Sequence, residues 1–124
     1  MKKIELFPTD ELPYVKFDPE KGYLEISGRS FPQDVTKFYG PLLTWVKEYS
    51  KHPLSDTLFK CNIEYFNTSS QKFLAEILKE LNRIHKMSMK VKVEWMYGSD
   101  DEDLMTIGKE FEKFLDLKFD YKSI

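Results

Sequence analysis

The sequence is poor in cysteine, basic blocks and long apolar runs, and each shortage excludes a class of protein. Cys61 is the only cysteine among 124 residues, which excludes an internal disulfide and a cysteine-built metal site. The 19 basic and 21 acidic residues are mixed along the chain, whereas nucleic-acid-binding proteins usually carry a basic stripe. The first residues lack the apolar stretch typical of a signal peptide, and no run approaches the roughly 18 apolar residues of a membrane span. We therefore expect a cytoplasmic protein that binds neither nucleic acid nor membrane.

Short motifs of common catalytic and cofactor sites are also missing. No P-loop, GxGxxG, GxSxG, HExxH or CxxC occurs in the chain. His52 and His85 have no sequence neighbour that suggests a general base or a metal ligand. The length fits a single domain over residues 1–124. We predict that this domain has no enzymatic activity and no cofactor, and that it acts by binding other proteins.

What the sequence does contain is an alternation of apolar and polar residues in several segments. Such alternation is typical of strands whose sheet has one buried and one polar face. The predicted strands are 14–17, 23–27, 58–66, 89–97 and 117–121, with a weaker candidate at 4–7. In the third of these, the side chains predicted to face the core are Phe59, Cys61, Ile63 and Tyr65.

Three further segments have apolar residues at helical spacing, over 33–49, 69–85 and 101–115. Gly40-Pro41 lies inside the first, so a kink or a break is expected there. Phe114 belongs to the apolar stripe of the third. The order of elements predicts an α/β fold in which right-handed crossovers join parallel strands. Because the strands alternate, we expect a two-layer sandwich: a mixed, mainly parallel sheet with all helices on one face.

This topology predicts where partners would bind. Ligand sites in such sheets gather beyond the carboxyl ends of the parallel strands, where three strand-to-helix junctions should meet. The residues at these junctions predicted to form a partner surface are Arg29, Ser30, Asn67, Thr68, Ser69, Ser70, Asp100, Asp101 and Asp103.

Two of these junctions have more than one interpretation. Thr68 and Gln71 have the spacing of a capping box at the start of a helix, but a hydroxyl there could also accept a phosphate that rests on free helix N–H groups. The acidic run Asp100-Asp101-Glu102-Asp103 suits the positive end of a helix, or else a divalent cation. Arg29 is either a grip for an anion or an ordinary surface residue.

The segments Leu24–Ser30, Tyr65–Ser70 and Val93–Tyr97, together with Pro32, Phe38-Tyr39 and Pro41, resemble the SiaC family of bacterial regulatory phosphoproteins. The likeness runs from about Pro13 to Phe114, and its most specific blocks are Gly-Arg-Ser and Tyr-Phe-Asn-Thr-Ser-Ser. The fold of that family is similar to the STAS domains of anti-sigma factor antagonists. In those domains a phosphorylated hydroxyl starts a helix after a strand, as Thr68 does here.

The resemblance implies a partner-switching regulator. A GHKL-type serine/threonine kinase would phosphorylate Thr68, and a PP2C-like phosphatase would remove the phosphate. The unphosphorylated form would bind and activate an effector, such as a diguanylate cyclase. Two alternatives remain open: an anti-sigma factor antagonist with the same switch, and a small metal-dependent enzyme that uses Asp100 to Asp103.

Overall fold

The computed structural model describes residues 1–124 and places six strands in one mixed sheet. The strands follow one another across the sheet in chain order. Neighbours among the first three strands run antiparallel, and neighbours from the third to the sixth run parallel. Their bounds are β1 Ile4–Leu6, β2 Tyr14–Asp18, β3 Tyr23–Ser30, β4 Asp56–Phe66, β5 Lys90–Tyr97 and β6 Phe119–Ser123. The weak candidate strand near the start of the chain is therefore confirmed.

Three helices connect the parallel strands, and they form the second layer of an α/β sandwich as the sequence predicted. The helices are α1 Val35–Lys51, α2 Thr68–Lys86 and α3 Glu102–Glu112. None of them is long and apolar enough to cross a membrane. The fold class and the one-sided arrangement of the helices are confirmed.

Helix α1 is not broken at Gly40-Pro41, where the sequence suggested a kink or a break. Proline removes one helix hydrogen bond. The carbonyl that it frees belongs to Lys37, which is exposed, so water can satisfy it. On the other side of the helix, Tyr39, Leu42 and Val46 are buried against the rest of the core. This packing holds the helix together across the proline.

The inward faces of the strands and the apolar stripes of the helices form one core of 23 buried residues. Ile77 and Leu81 of α2 are fully buried in it. Trp95 on β5 donates its indole N–H to the carbonyl of Leu104 at 2.9 Å, which ties α3 to the sheet. Cys61 is buried as predicted, and the loss of hydration raises the pKa of its thiol.

Helix α3 ends earlier than its apolar stripe suggested. Glu112 is the last helical residue, and its carboxylate accepts hydrogen bonds from the Phe119 N–H at 2.8 Å and from the Tyr121 hydroxyl. These contacts fix the end of α3 against β6, and residues 113–114 follow as a turn. Phe114, predicted on the buried stripe, is instead 80% exposed.

The second face of the sheet carries polar side chains and no helix. Cross-strand neighbours there include Glu25, Lys60, Glu94 and Asp120, one on each of four adjacent strands. The Lys122 ammonium lies 2.8 Å from the Glu94 carboxylate. Charges of opposite sign side by side stabilise a solvated sheet surface. We call this surface the open face.

Candidate functional site

The carboxyl ends of the parallel strands converge as predicted, and direct hydrogen bonds join two of the three junctions. The backbone N–H of Asn67, just after β4, donates to the carbonyl of Ser30 at the end of β3, at 3.0 Å. This bond links Asn67, which precedes Thr68, to Ser30, which follows Arg29. The structure thus brings Arg29, Ser30 and the start of α2 together.

Asn67, not Thr68, caps helix α2. Its side-chain oxygen accepts from the Ser70 N–H at 2.9 Å, and its backbone is extended, with φ −77° and ψ 170°. The capping box predicted for Thr68 is wrong, because Thr68 already has helical geometry. Gln71 reaches the carbonyl of Phe66 at 3.5 Å and does not complete a box. Asparagine is among the strongest N-caps, so the residue type at position 67 could have predicted the start of the helix.

The two hydroxyls that open α2 face solvent. Thr68 and Ser69 are exposed, and the Thr68 hydroxyl makes no hydrogen bond within the chain. Their N–H groups belong to the first turn, where a helix offers no internal acceptor. The first turn of α2 also contains no acidic residue, so no side-chain charge offsets the positive end of the helix dipole. An exposed hydroxyl thus lies at an uncompensated helix N-terminus.

Ser70 lies beneath these residues in a buried hydrogen-bonded group. Its hydroxyl is 3.0 Å from the hydroxyl of Ser30, which in turn is 2.5 Å from the hydroxyl of Tyr39 on α1. Ser30 and Ser70 are both 0% exposed. Burial is the main cause that raises the pKa of Tyr39 to about 12. The group, named here the buried triad, joins β3, α1 and α2.

The burial of Ser30 and Ser70 corrects part of the predicted partner surface. Both serines were expected to contact a partner, but neither side chain reaches solvent. Their hydroxyls instead satisfy each other inside the protein, as buried polar groups must. They support the site from below, and they hold the start of α2 against the end of β3.

A β-bulge near the end of β4 exposes a tyrosine that was predicted in the core. Gly28 on β3 pairs with Ile63, but the next residue, Arg29, pairs with Tyr65, so Glu64 is an extra residue. Gly28 has φ +110°, a conformation that residues with a Cβ rarely adopt. Because a bulge reverses the alternation, Tyr65 is 55% exposed.

Arg29 and two aromatic rings form a cluster on the open face beside this bulge. The Arg29 guanidinium lies 5.1 Å from the centre of the Phe31 ring. The rings of Phe31 and Tyr65 meet edge to face, with their centres 5.7 Å apart. Arg29 is exposed, as predicted. Tyr65 was predicted in the core, and Phe31 was not among the predicted partner residues.

The acidic run lies at the start of α3, and one of its members is a helix cap. Asp101 accepts the Leu104 N–H at 3.1 Å, while Asp100, Glu102 and Asp103 are exposed. Nowhere do three or more His, Cys, Asp or Glu side chains converge in a way that could hold a metal ion. No hydrogen bond links the run to the start of α2, although both follow parallel strands that end at the same edge.

Comparison with known proteins agrees with this architecture. The crystal structure of apo-SiaC from Pseudomonas aeruginosa superimposes with a TM-score of 0.89 at 24% identity, over 99% of this chain and all of that one. SiaC in its complex with the diguanylate cyclase SiaD, which it activates, gives 0.90 at 23% identity, over 98% and 99% of the two chains. At this identity the likeness shows the fold.

Sequence comparison identifies the family. A protein of Pseudomonas aeruginosa strain UCBPP-PA14 is 25% identical over 113 residues, which are 91% of this chain and 90% of that protein. The sequence model of the SiaC family regulatory phosphoproteins matches residues 6–124, almost the whole chain. The chain therefore belongs to the SiaC family of regulatory phosphoproteins.

Proposed function

We propose that this protein is a phosphorylation-controlled activator of a diguanylate cyclase, with Thr68 as the switch residue. The observation that carries the proposal is the exposed Thr68 hydroxyl at the N-terminus of α2. Family membership supports a regulatory phosphoprotein. The structure of the related SiaC bound to the cyclase SiaD supports the class of effector.

Burial distinguishes the three adjacent hydroxyls of the segment. Ser70 is fully buried and hydrogen-bonded, so a kinase could reach it only if the start of α2 unfolded. Thr68 and Ser69 are both exposed. Thr68 is the residue that matches the phosphorylated position implied by the family resemblance, and it is therefore our choice over Ser69.

The fold should survive phosphorylation of Thr68. A phosphate adds about −1.5 to −2 charge and three acceptor oxygens. The free N–H groups and the dipole of α2 can stabilise such an anion by roughly 0.3–1 kcal/mol. The first turn carries no acidic side chain that would repel it. Phosphorylation would therefore change the surface of the protein and leave its core intact.

The new charge would act on the partner. Asp100, Asp101 and Asp103 follow β5 at the same edge of the sheet, so a dianion on Thr68 would make an acidic edge more acidic. A partner that packs against the bare hydroxyl would lose that contact and face added negative charge. A GHKL-type kinase would thus end the interaction with the cyclase, and a PP2C-like phosphatase would restore it.

The experiment compares three alanine variants with the cognate kinase and ATP. Thr68→Ala should incorporate no phosphate, whereas Ser69→Ala should be phosphorylated like the wild type. The thermal stability of Ser70→Ala is measured in parallel, because Ser70 is buried. A loss of phosphorylation in this variant that comes with a loss of stability is then an effect on folding. Thr68→Ala should also bind the cyclase permanently, in the presence of kinase and ATP. Wild-type phosphorylation of Thr68→Ala, with loss in Ser69→Ala, would assign the switch to Ser69 and refute our choice.

A further inference from the structure

We infer that Arg29, Phe31 and Tyr65 form a docking platform for a segment of the cyclase that carries a carboxylate next to an apolar side chain. The inference rests on the proposed function, because it names a contact of the same effector. The inference extends the proposed function by placing part of the interface on the open face of the sheet, opposite the helical layer.

The first observation is the exposed ring of Tyr65. Seven other large apolar side chains are exposed, and they lie at chain ends, in loops and turns, or in the short edge strand β1. Tyr65 instead lies in β4, an inner strand of the sheet, and is held outward by the bulge. Phe31 packs against its edge, with the ring centres 5.7 Å apart. Two adjoining rings on a rigid strand end offer apolar contact at low entropic cost.

The second observation is the unpaired charge of Arg29. Its guanidinium lies over Phe31 at 5.1 Å, and it forms no salt bridge, although nine salt bridges join other residues of the chain. The guanidinium lies over the ring, and its N–H groups make no hydrogen bond within the chain. Those donors match a carboxylate, which can accept two of them side by side. The complementary partner group is therefore an acidic side chain.

The third observation is the short path from the platform to the switch. Arg29 and Tyr65 are register partners on adjacent strands. Thr68 comes three residues after Tyr65, so their Cα atoms can lie at most roughly 11 Å apart. One partner segment can therefore cover the platform and the Thr68 hydroxyl together. A phosphate on Thr68 would then repel the partner carboxylate that Arg29 attracts.

The test measures binding of the unphosphorylated protein to its cognate diguanylate cyclase by calorimetry. Tyr65→Ala and Arg29→Ala should each weaken binding about tenfold or more, the usual effect of truncating a central tyrosine or arginine. Phe114→Ala is the control, since it removes another exposed ring, which follows α3 at the opposite end of the parallel strands, and it should bind within about twofold of the wild type. Added salt should weaken the wild type more than Arg29→Ala.

The outcomes separate this inference from the proposed function. If the wild type binds the cyclase and both platform variants bind equally well, the platform is refuted and the proposed function stands. If the wild type does not bind the cyclase at all, the proposed function fails, and the platform loses the occupant named here. Arg29 is exposed, so Arg29→Ala decides the question even if Tyr65→Ala proves unstable.

Discussion

Tyr39→Phe tests whether the buried triad holds the start of α2 in place. The substitution removes one oxygen and leaves the ring, which stacks on Phe73 with the centres 5.8 Å apart. The lost contact is the 2.5 Å hydrogen bond between the hydroxyls of Tyr39 and Ser30. Ser30 keeps its bond to Ser70, so no polar group is left without a partner.

The expected loss in the free energy of unfolding depends on the burial of the hydrogen bond and on the partners that Ser30 keeps. A buried neutral hydrogen bond contributes about 0.5–1.5 kcal/mol net, and the cost grows toward 3 kcal/mol when its partner is left unsatisfied. Because Ser30 remains partly satisfied, we expect Tyr39→Phe to lower the free energy of unfolding by about 1–2 kcal/mol. For a domain of this size, that corresponds to a drop of roughly 4–8 °C in Tm.

Urea unfolding and calorimetry provide the assay, and Tyr65→Phe provides the control. That change also removes one phenol oxygen, but the Tyr65 side chain is exposed and its hydroxyl is not hydrogen-bonded, so stability should shift by less than about 0.5 kcal/mol. A Tyr39→Phe variant as stable as Tyr65→Phe would refute the role of the triad. Combining Tyr39→Phe with Ser70→Ala should give a non-additive loss, since both act through Ser30.

Three further predictions concern the core and the alkaline range. Gly108→Ala should destabilise the protein by about 1–2 kcal/mol in urea unfolding, because its Cβ would lie 2.9 Å from the Trp95 ring, whereas Gly40→Ala, with 3.9 Å to its nearest neighbour, should not destabilise it; equal effects would contradict this. Ile77→Ala should cost roughly 2–5 kcal/mol in the same assay, and a smaller loss would mean that the α2 stripe is not core. The pKa of Tyr39 is raised from 10.0 to about 12, so its stabilising effect, complete below pH 10.0, should be lost as pH rises to about 12; Tyr39→Phe should lose less Tm across that range.

The sequence predicted the architecture because its main signals are periodic. Alternation in the strands placed Phe59 and Cys61 inward, and helical spacing predicted an apolar stripe over 69–85 that includes Ile77 and Leu81; all four are buried. Only a one-sided helical layer fits strands that alternate, so the two-layer sandwich followed without any knowledge of contacts. The convergence of the strand ends at one edge followed from the right-handed crossovers.

The errors cluster where a single residue breaks the period. Glu64 is an extra residue in β4, and it turns Tyr65 from the core to the open face. Nothing in the alternation of 58–66 shows where a bulge lies, because it depends on the register with β3 and on the left-handed backbone of Gly28. The bulge that interrupts the alternation also exposes the Tyr65 ring of the proposed docking platform.

Adjacent hydroxyls posed a different problem, because a sequence does not say which of them is buried. Thr68, Ser69 and Ser70 look alike as helix-starting residues. Asn67 caps the helix, which therefore begins at Thr68, one residue earlier than predicted, and Ser70 faces inward. The site therefore has two layers. The inner layer uses Ser70 to fix the helix, and the outer layer leaves Thr68 free at its positive end. A charge placed on Thr68 would meet unpaired N–H groups and no buried neighbour, so it would alter the binding surface without disturbing the packed core.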